Sequence, residues 1–296
     1  MLRITNAGTT SRLIQYLQTT QTRLAETQGR MASGRRINKP SDDPFGNSRV
    51  MAMRTSMGLI AQHQRSIELA KSELGVTEAS LDGLGRVLSR AQELAVQADS
   101  TTVDASGRAA IAVEIDSLLQ EVVTIGNTSY GGRHIFGGYQ TGAQPFTPDA
   151  PANATAVTFN GDAGVIARSI GNGETVAVNL DGQALFGGIF TSLIDFRDAL
   201  NANDRAGIAS ASTALGLDAD TALRARGEIG ARVRHTELAA QRLEGDEAQF
   251  QIQISQLEDA DLTQEAMDLQ MRDTALQAAL SATAKSLTTG LIAFLR

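Results

Sequence analysis

Met53, Ile60, Ile67, Leu74, Leu81, Leu88 and Ala95 stand seven residues apart without a break. Their companions three residues on are Ser56, His63, Ala70, Thr77, Leu84, Ala91 and Ala98, most of them small. A strict heptad of apolar residues over this length fits a long helix with a narrow buried seam and little else. The prolines agree. All five lie in two short windows, Pro40–Pro44 and Pro145–Pro151, so the rest of the chain is open to uninterrupted helix. Asp43 before Pro44 supplies an N-cap and a first helical residue. The spacing therefore predicts one helix from about Pro44 to Ala98.

The two ends of the chain carry opposite charge. Residues 1–40 hold seven bases (Arg3, Arg12, Arg23, Arg30, Arg35, Arg36, Lys39) and one acid, Glu26. Residues 244–273 hold nine acids and one base, Arg272. Both stretches repeat apolar residues at helical spacing: Leu17, Leu24 and Met31 in the first, Leu262, Leu269 and Leu276 in the second. Helices of opposite charge with matching seams invite pairing. The candidate assembly surface is this seam: Leu13, Leu17, Leu24 and Met31 on the first helix, and Leu269, Leu276, Leu280, Leu287 and Leu291 on the last. A seam so narrow is poorly covered by one partner. The ends are therefore expected to order fully only when neighbouring subunits cover them.

Between the helices, residues 127–189 are rich in glycine and run in short β-like stretches. Ala156–Phe159 before Asn160-Gly161 predicts one hairpin, and Gly171-Asn172-Gly173 a second. Eight of the twelve aromatics fall between Tyr130 and Phe196, enough for a small separate β core. Helix is expected again over about Ile189–Leu200 and from Asp204 almost to the end, with a break near Gly216. The fold class is mainly α: an antiparallel helical, coiled-coil-like rod formed by both chain ends, with a small β-rich insertion. The expected domains are 1–36 with 258–296, 37–146 with 189–257, and 147–188.

Several function classes are disfavoured. A net charge of −7 argues against nonspecific nucleic-acid binding. The absence of cysteine excludes disulfides, thiolate metal sites and thiol nucleophiles. Met1–Thr20 lacks the apolar run of a cleaved signal peptide, and no stretch approaches a membrane span; neither membrane nor nucleic acid is an expected partner. Asp42-Asp43 reads as caps and turn residues around two prolines. Glu258, Asp259 and Asp261 lack the spacing of a calcium loop. Gly131-Gly132 and Gly137-Gly138 lack the Lys-Ser/Thr of a phosphate loop. His63, His134 and His235 have no helical histidine partner. No catalytic, cofactor or metal site is expected, and an enzyme is not.

The segment Gly34-Arg35-Arg36-Ile37-Asn38-Lys39-Pro40-Ser41-Asp42-Asp43-Pro44 resembles the one after the first helix in the flagellin family, and its Pro-Ser-Asp-Asp-Pro resembles the hook–filament junction branch. Asn127–Gly138 is similar to the Asn-x-x-x-x-Gly-Arg-Tyr-Leu-Phe-Gly-Gly run before the family's variable domain, with His134 where an aromatic is usual. Leu257–Leu262, Ala275–Lys285 and the ending Phe294-Leu295-Arg296 resemble its carboxy-terminal helix. The resemblance implies a structural subunit of the bacterial flagellum, extracellular and exported by the type III apparatus without a cleaved signal. Its implied partners are the first hook-associated protein, flagellin, copies of itself in a junction ring, and an export chaperone at about residues 260–296. A filament flagellin of the same fold is the alternative.

Overall fold

The long heptad segment is one helix, as its spacing predicts. In the computed structural model, which describes the backbone of residues 6–294 and the side chains of residues 11–285, α2 runs Pro44–Asp99. Ile60, Ile67, Leu74, Leu81, Leu88 and Ala95 are all buried, and so are Ala70, Thr77, Leu84, Ala91 and Ala98. Asp43 caps the helix, accepting from Gly46 N–H at 2.8 Å. The helix before it, α1 (Asn6–Ser33), stops where Gly34 takes φ +68°. That left-handed value suits glycine after a helix end.

The remaining helices are α3 (Ala105–Gly126), α4 (Gly182–Ala202), α5 (Arg205–Glu258) and α6 (Leu262–Phe294). Between α3 and α4 lie six short strands: β1 (Ser129–Tyr130), β2 (Arg133–His134), β3 (Phe146–Pro148), β4 (Val157–Phe159), β5 (Ala167–Gly171) and β6 (Glu174–Ala177). They pair as three two-stranded antiparallel sheets, β1–β2, β3–β4 and β5–β6. Gly131 and Gly132, at φ +58° and +77°, make the two-residue turn between β1 and β2. They serve a tight turn. The fold is mainly α with a small β region.

Four sequence expectations need correction. Asn160-Gly161 is not a hairpin turn. β4 pairs backward with β3, Phe159 opposite Phe146, and the chain after it loops around Asp162, which accepts from Tyr139 N–H (2.7 Å) and Gly164 N–H (2.8 Å). The aromatics do not build a separate β core. Phe136 and Phe146 pack on Phe186 of α4, with ring centroids 4.9 and 5.2 Å away. They belong to the same buried cluster as Leu84, Leu119 and Leu193, since two-stranded sheets cannot bury a core of their own. Helix α4 begins at Gly182, seven residues before Ile189, with Asp181 accepting from Ala184 N–H. Helix α5 does not break at Gly216. Burial of Ile208, Leu215, Ala222 and Ile229 outweighs the helix cost of one glycine, about 1 kcal/mol. The break falls instead at Asp259–Asp261, where Asp261 accepts from Thr263 N–H (2.9 Å) and Gln264 N–H (3.2 Å) to start α6.

The chain forms two compact units: Met1–Leu59 with Asp246–Arg296, and Ile60–Gly245. In the second unit, α2, α3, α4 and α5 share the main buried cluster. Arg197, itself buried, donates to Asp116 (3.2 Å) and to the Ala154 carbonyl (2.7 Å). The β5–β6 sheet is held to α2 by Arg168, bidentate on Glu73 at 2.6 and 3.1 Å, and to α5 by Glu174, which meets His235 at 2.8 Å and Arg242.

Candidate assembly interface

In the first unit, α1 and α6 lie side by side and antiparallel. Arg30 Nε donates to Glu265 at 2.8 Å. One heptad toward the start of α1 and one heptad further along α6, Arg272 Nη1 donates to the Arg23 carbonyl at 2.9 Å. The Glu265 carboxylate holds the Arg30 pKa above its usual value through that hydrogen bond.

The expected seam lies along this pair. Leu13, Leu17, Leu24 and Met31 of α1 are half-buried, as are Leu269 and Leu276 of α6. Leu280 is exposed. The side chains of Leu287 and Leu291 lie outside the described residues. At these six half-buried positions part of each apolar side chain is covered and part remains accessible to water.

The seam contains residues that an apolar reading passes over. Thr27, at 0% exposure, is its most deeply buried member on α1. With Thr20 it fills the line 13, 17, 20, 24, 27, 31, which alternates four and three. On α6 the line is Glu265, Leu269, Arg272, Leu276, Ala279 and Thr283, with the same alternation. The signal was present in the spacing, at polar residues. Thr27 Oγ1 satisfies itself on the Arg23 carbonyl at 3.0 Å, which lets a hydroxyl sit inside a helix contact.

The joint between α5 and α6 is pinned to the segment after α1. Arg35 bridges Asp259 in antiparallel fashion. Arg36 N–H donates to the Glu258 carbonyl (2.6 Å), and Ala260 N–H to the Gly34 carbonyl (2.9 Å). The Glu258 side chain, 8% exposed, accepts from Arg54 (2.6 Å) and pairs with Arg35 (3.2 Å). Beside it, Asp42 accepts from Asn38 N–H (3.0 Å) and Lys39 N–H (2.9 Å). Those backbone donors hold its carboxyl below the usual range. The acidic residues of the two motifs thus serve as caps, turn acceptors and ion-pair partners. Among the described residues no three His, Asp or Glu side chains converge as a metal site would require, and no helix is long and apolar enough to cross a membrane.

Residues 4–141 match the family model described as the bacterial flagellin N-terminal helical region. Flagellar hook-associated protein 3 of Salmonella typhimurium is 26% identical over 165 residues, 55% of this chain and 50% of that protein. The chain thus spans about half the length of the curated relatives it matches. The crystal structure of Bacillus cereus FlgL is 26% identical, with a TM-score of 0.60 over 69% of this chain and 99% of that one. A putative flagellar hook-associated protein from Vibrio parahaemolyticus, at 18% identity, shares the fold with a TM-score of 0.67 over 74% and 100% of the two chains. The resemblance to the flagellin family and its hook-associated members, read from the residues, therefore holds.

Proposed function

We propose, from a flagellin-type N-terminal helical region on a hook-associated fold, that this chain is a structural, non-enzymatic subunit of the bacterial flagellum at the hook–filament junction. It joins the first hook-associated protein on one side to the flagellin filament on the other and packs against copies of itself in a ring. Export runs through the type III apparatus without a cleaved signal, with a chaperone on the region of α6. Residues 1–36 with 258–296 act as the polymerisation domain.

The observation that carries this reading is the half-covered seam of α1 and α6. Leu13, Leu17, Leu24, Met31, Leu269 and Leu276 each keep one side in water. Burying that area against a neighbour is favourable at roughly 25 cal/mol per Å². Charge supports it: exposed pairs contribute only about 0–1 kcal/mol each, but they set register and partner choice.

The test is imaging of cells that lack the protein. Hooks capped by the first hook-associated protein, with flagellin lost to the medium, are expected. Normal filaments on such cells would overturn the reading. The flagellin description of the matched region favours one alternative, a filament flagellin. Under that alternative the purified chain grows long filaments by itself; under the junction reading it does not.

A further inference from the structure

We propose that Asn172, at the tip of the β5–β6 hairpin, is a site of spontaneous deamidation whose conversion releases that hairpin from α5. The sequence holds two Asn-Gly pairs, Asn160-Gly161 and Asn172-Gly173. Glycine after asparagine leaves the next peptide nitrogen uncrowded by a side chain, so the sequence alone ranks the two pairs equally. The structure separates them. Both pairs and their partners lie in the second unit, so the assignment is independent of the junction reading.

Asn160-Gly161 is locked. The Asn160 side-chain amide donates to Thr147 Oγ1 at 2.9 Å, and its backbone N–H donates to the Pro145 carbonyl at 2.7 Å. Gly161 is wedged: a Cβ there would stand 2.6 Å from the Phe159 ring and 2.9 Å from the Gly137 carbonyl. Asn172-Gly173 is open. Both residues are exposed, in the two-residue turn between Gly171 and Glu174. Among the described residues the Asn172 side-chain amide has no hydrogen-bond partner. Gly173 sits at φ +75°, and nothing lies within 4 Å of the place its Cβ would take. No neighbour therefore holds the Asn172 amide away from the Gly173 nitrogen.

The only co-reactant is water. The Gly173 amide nitrogen, deprotonated by hydroxide, attacks Asn172 Cγ, and the new C–N bond closes a succinimide ring. The Cγ–Nδ2 bond breaks, and the leaving nitrogen takes a proton from water to depart as ammonia. Water then adds to one of the two ring carbonyls and opens its C–N bond. One opening gives an ordinary aspartyl residue; the other gives an isoaspartyl residue, with an extra methylene in the backbone. Nothing is oxidised or reduced. The product carboxylate arises beside Arg242, whose Nη2 stands 3.4 Å from the place a Gly171 Cβ would take. Arg242 and His235 together hold Glu174, and so tie β6 to α5. A second carboxylate competes with Glu174 for that guanidinium, and the extra methylene disturbs the register that sets Glu174 opposite Gly171. The tie of β5 to α2, Arg168 on Glu73, is untouched.

The experiment ages the full chain in mildly alkaline buffer and follows both pairs by peptide mass spectrometry, with isoaspartyl methyltransferase labelling to mark the extra-methylene product. Asn172 should convert several-fold faster than Asn160 in the folded chain, and the two rates should converge in urea. Native-state amide exchange in β6 should quicken in the aged wild type. The Asn172→Ser chain, aged alongside, should keep its fresh value. Equal rates in the folded chain, or rates that stay apart in urea, would overturn the assignment of the site to the fold. Unaltered β6 protection in the converted wild type, or equal loss in the aged Asn172→Ser chain, would overturn the release of the hairpin.

Discussion

Glu258→Gln should loosen the joint between α5 and α6 by about 2 kcal/mol. The wild-type carboxylate is buried and meets two guanidinium groups, Arg54 at 2.6 Å and Arg35 at 3.2 Å. Hydrogen bonds to charged groups contribute about 1.5–3 kcal/mol each. Both arginines are about half exposed, so after the change they return to water cheaply and the lower end of that range applies. Glutamine keeps the shape and one acceptor, but turns its amide donors toward donors. The two units make a single melting temperature ill-defined, so the readout is local: native-state amide exchange at Arg36 and Ala260, whose N–H groups donate across the joint. A loss of about 2 kcal/mol speeds exchange there by roughly 30-fold. Lys71→Ala, which breaks an exposed pair with Glu68, should change its own surroundings by less than about 0.5 kcal/mol. In a cycle with Arg54→Met, the two losses should be less than additive. Exchange at Arg36 and Ala260 within twofold of wild type would refute the claim that this buried carboxylate holds the joint.

Leu276→Asp places a charge in the half-buried seam and should abolish incorporation at hook ends while the melting of the second unit, followed by its own amides, stays unchanged. Burial pushes the Asp218 carboxyl up. Its folded value thus lies above the unfolded one, and stability falls as pH rises through the folded value. Asp218→Asn should therefore make the second unit more stable than wild type at pH 7, by urea unfolding, with the difference gone by about pH 3. His235 and Arg242 hold the Glu174 carboxyl below its usual range. That contribution is present above the unfolded value, about 4.3, and is lost as pH falls through the folded one. The protection of β5–β6 amides, after correction for the intrinsic pH dependence of exchange, should fall at acid pH in wild type and stay level in Glu174→Gln.

What the sequence disclosed, it disclosed through period. Six heptad steps from Met53 to Ala95 fix a helix because no other backbone returns the same face every seven residues. Punctuation was less reliable. Gly216 looks like a stop, yet α5 passes through it, because Leu215 is buried beside it and packing outweighs propensity. Asp181 and Asp261 were the true punctuation, each an acceptor for the first free N–H groups of a helix. The opposed charges of the two ends did pair, but through few groups: Arg30 with Glu265 and Arg35 with Glu258. Arg54, which shares Glu258, lies on α2, outside the basic stretch, and no charge count would have selected it.

A heptad reports which side of a helix is apolar, not how many neighbours cover that side. Leu74, Leu81, Leu84 and Leu88 are sealed, while Leu17, Leu24, Leu269 and Leu276, in the same alternation of three and four, are half-buried. The difference is the number of helices around each line. The α2 line is enclosed by contributions from α3, α4 and α5; among the described residues the seam of α1 and α6 is formed by the two helices of that pair. The same pattern that is sealed in the second unit is part-exposed in the first, and under the proposed function neighbouring subunits supply the missing cover. If the seam leucines were already shielded in the isolated chain, Leu276→Asp would cost folding before it cost assembly. If they are shielded by neighbours, assembly is lost first, and the order of those two losses decides between a self-sufficient pair and a subunit surface.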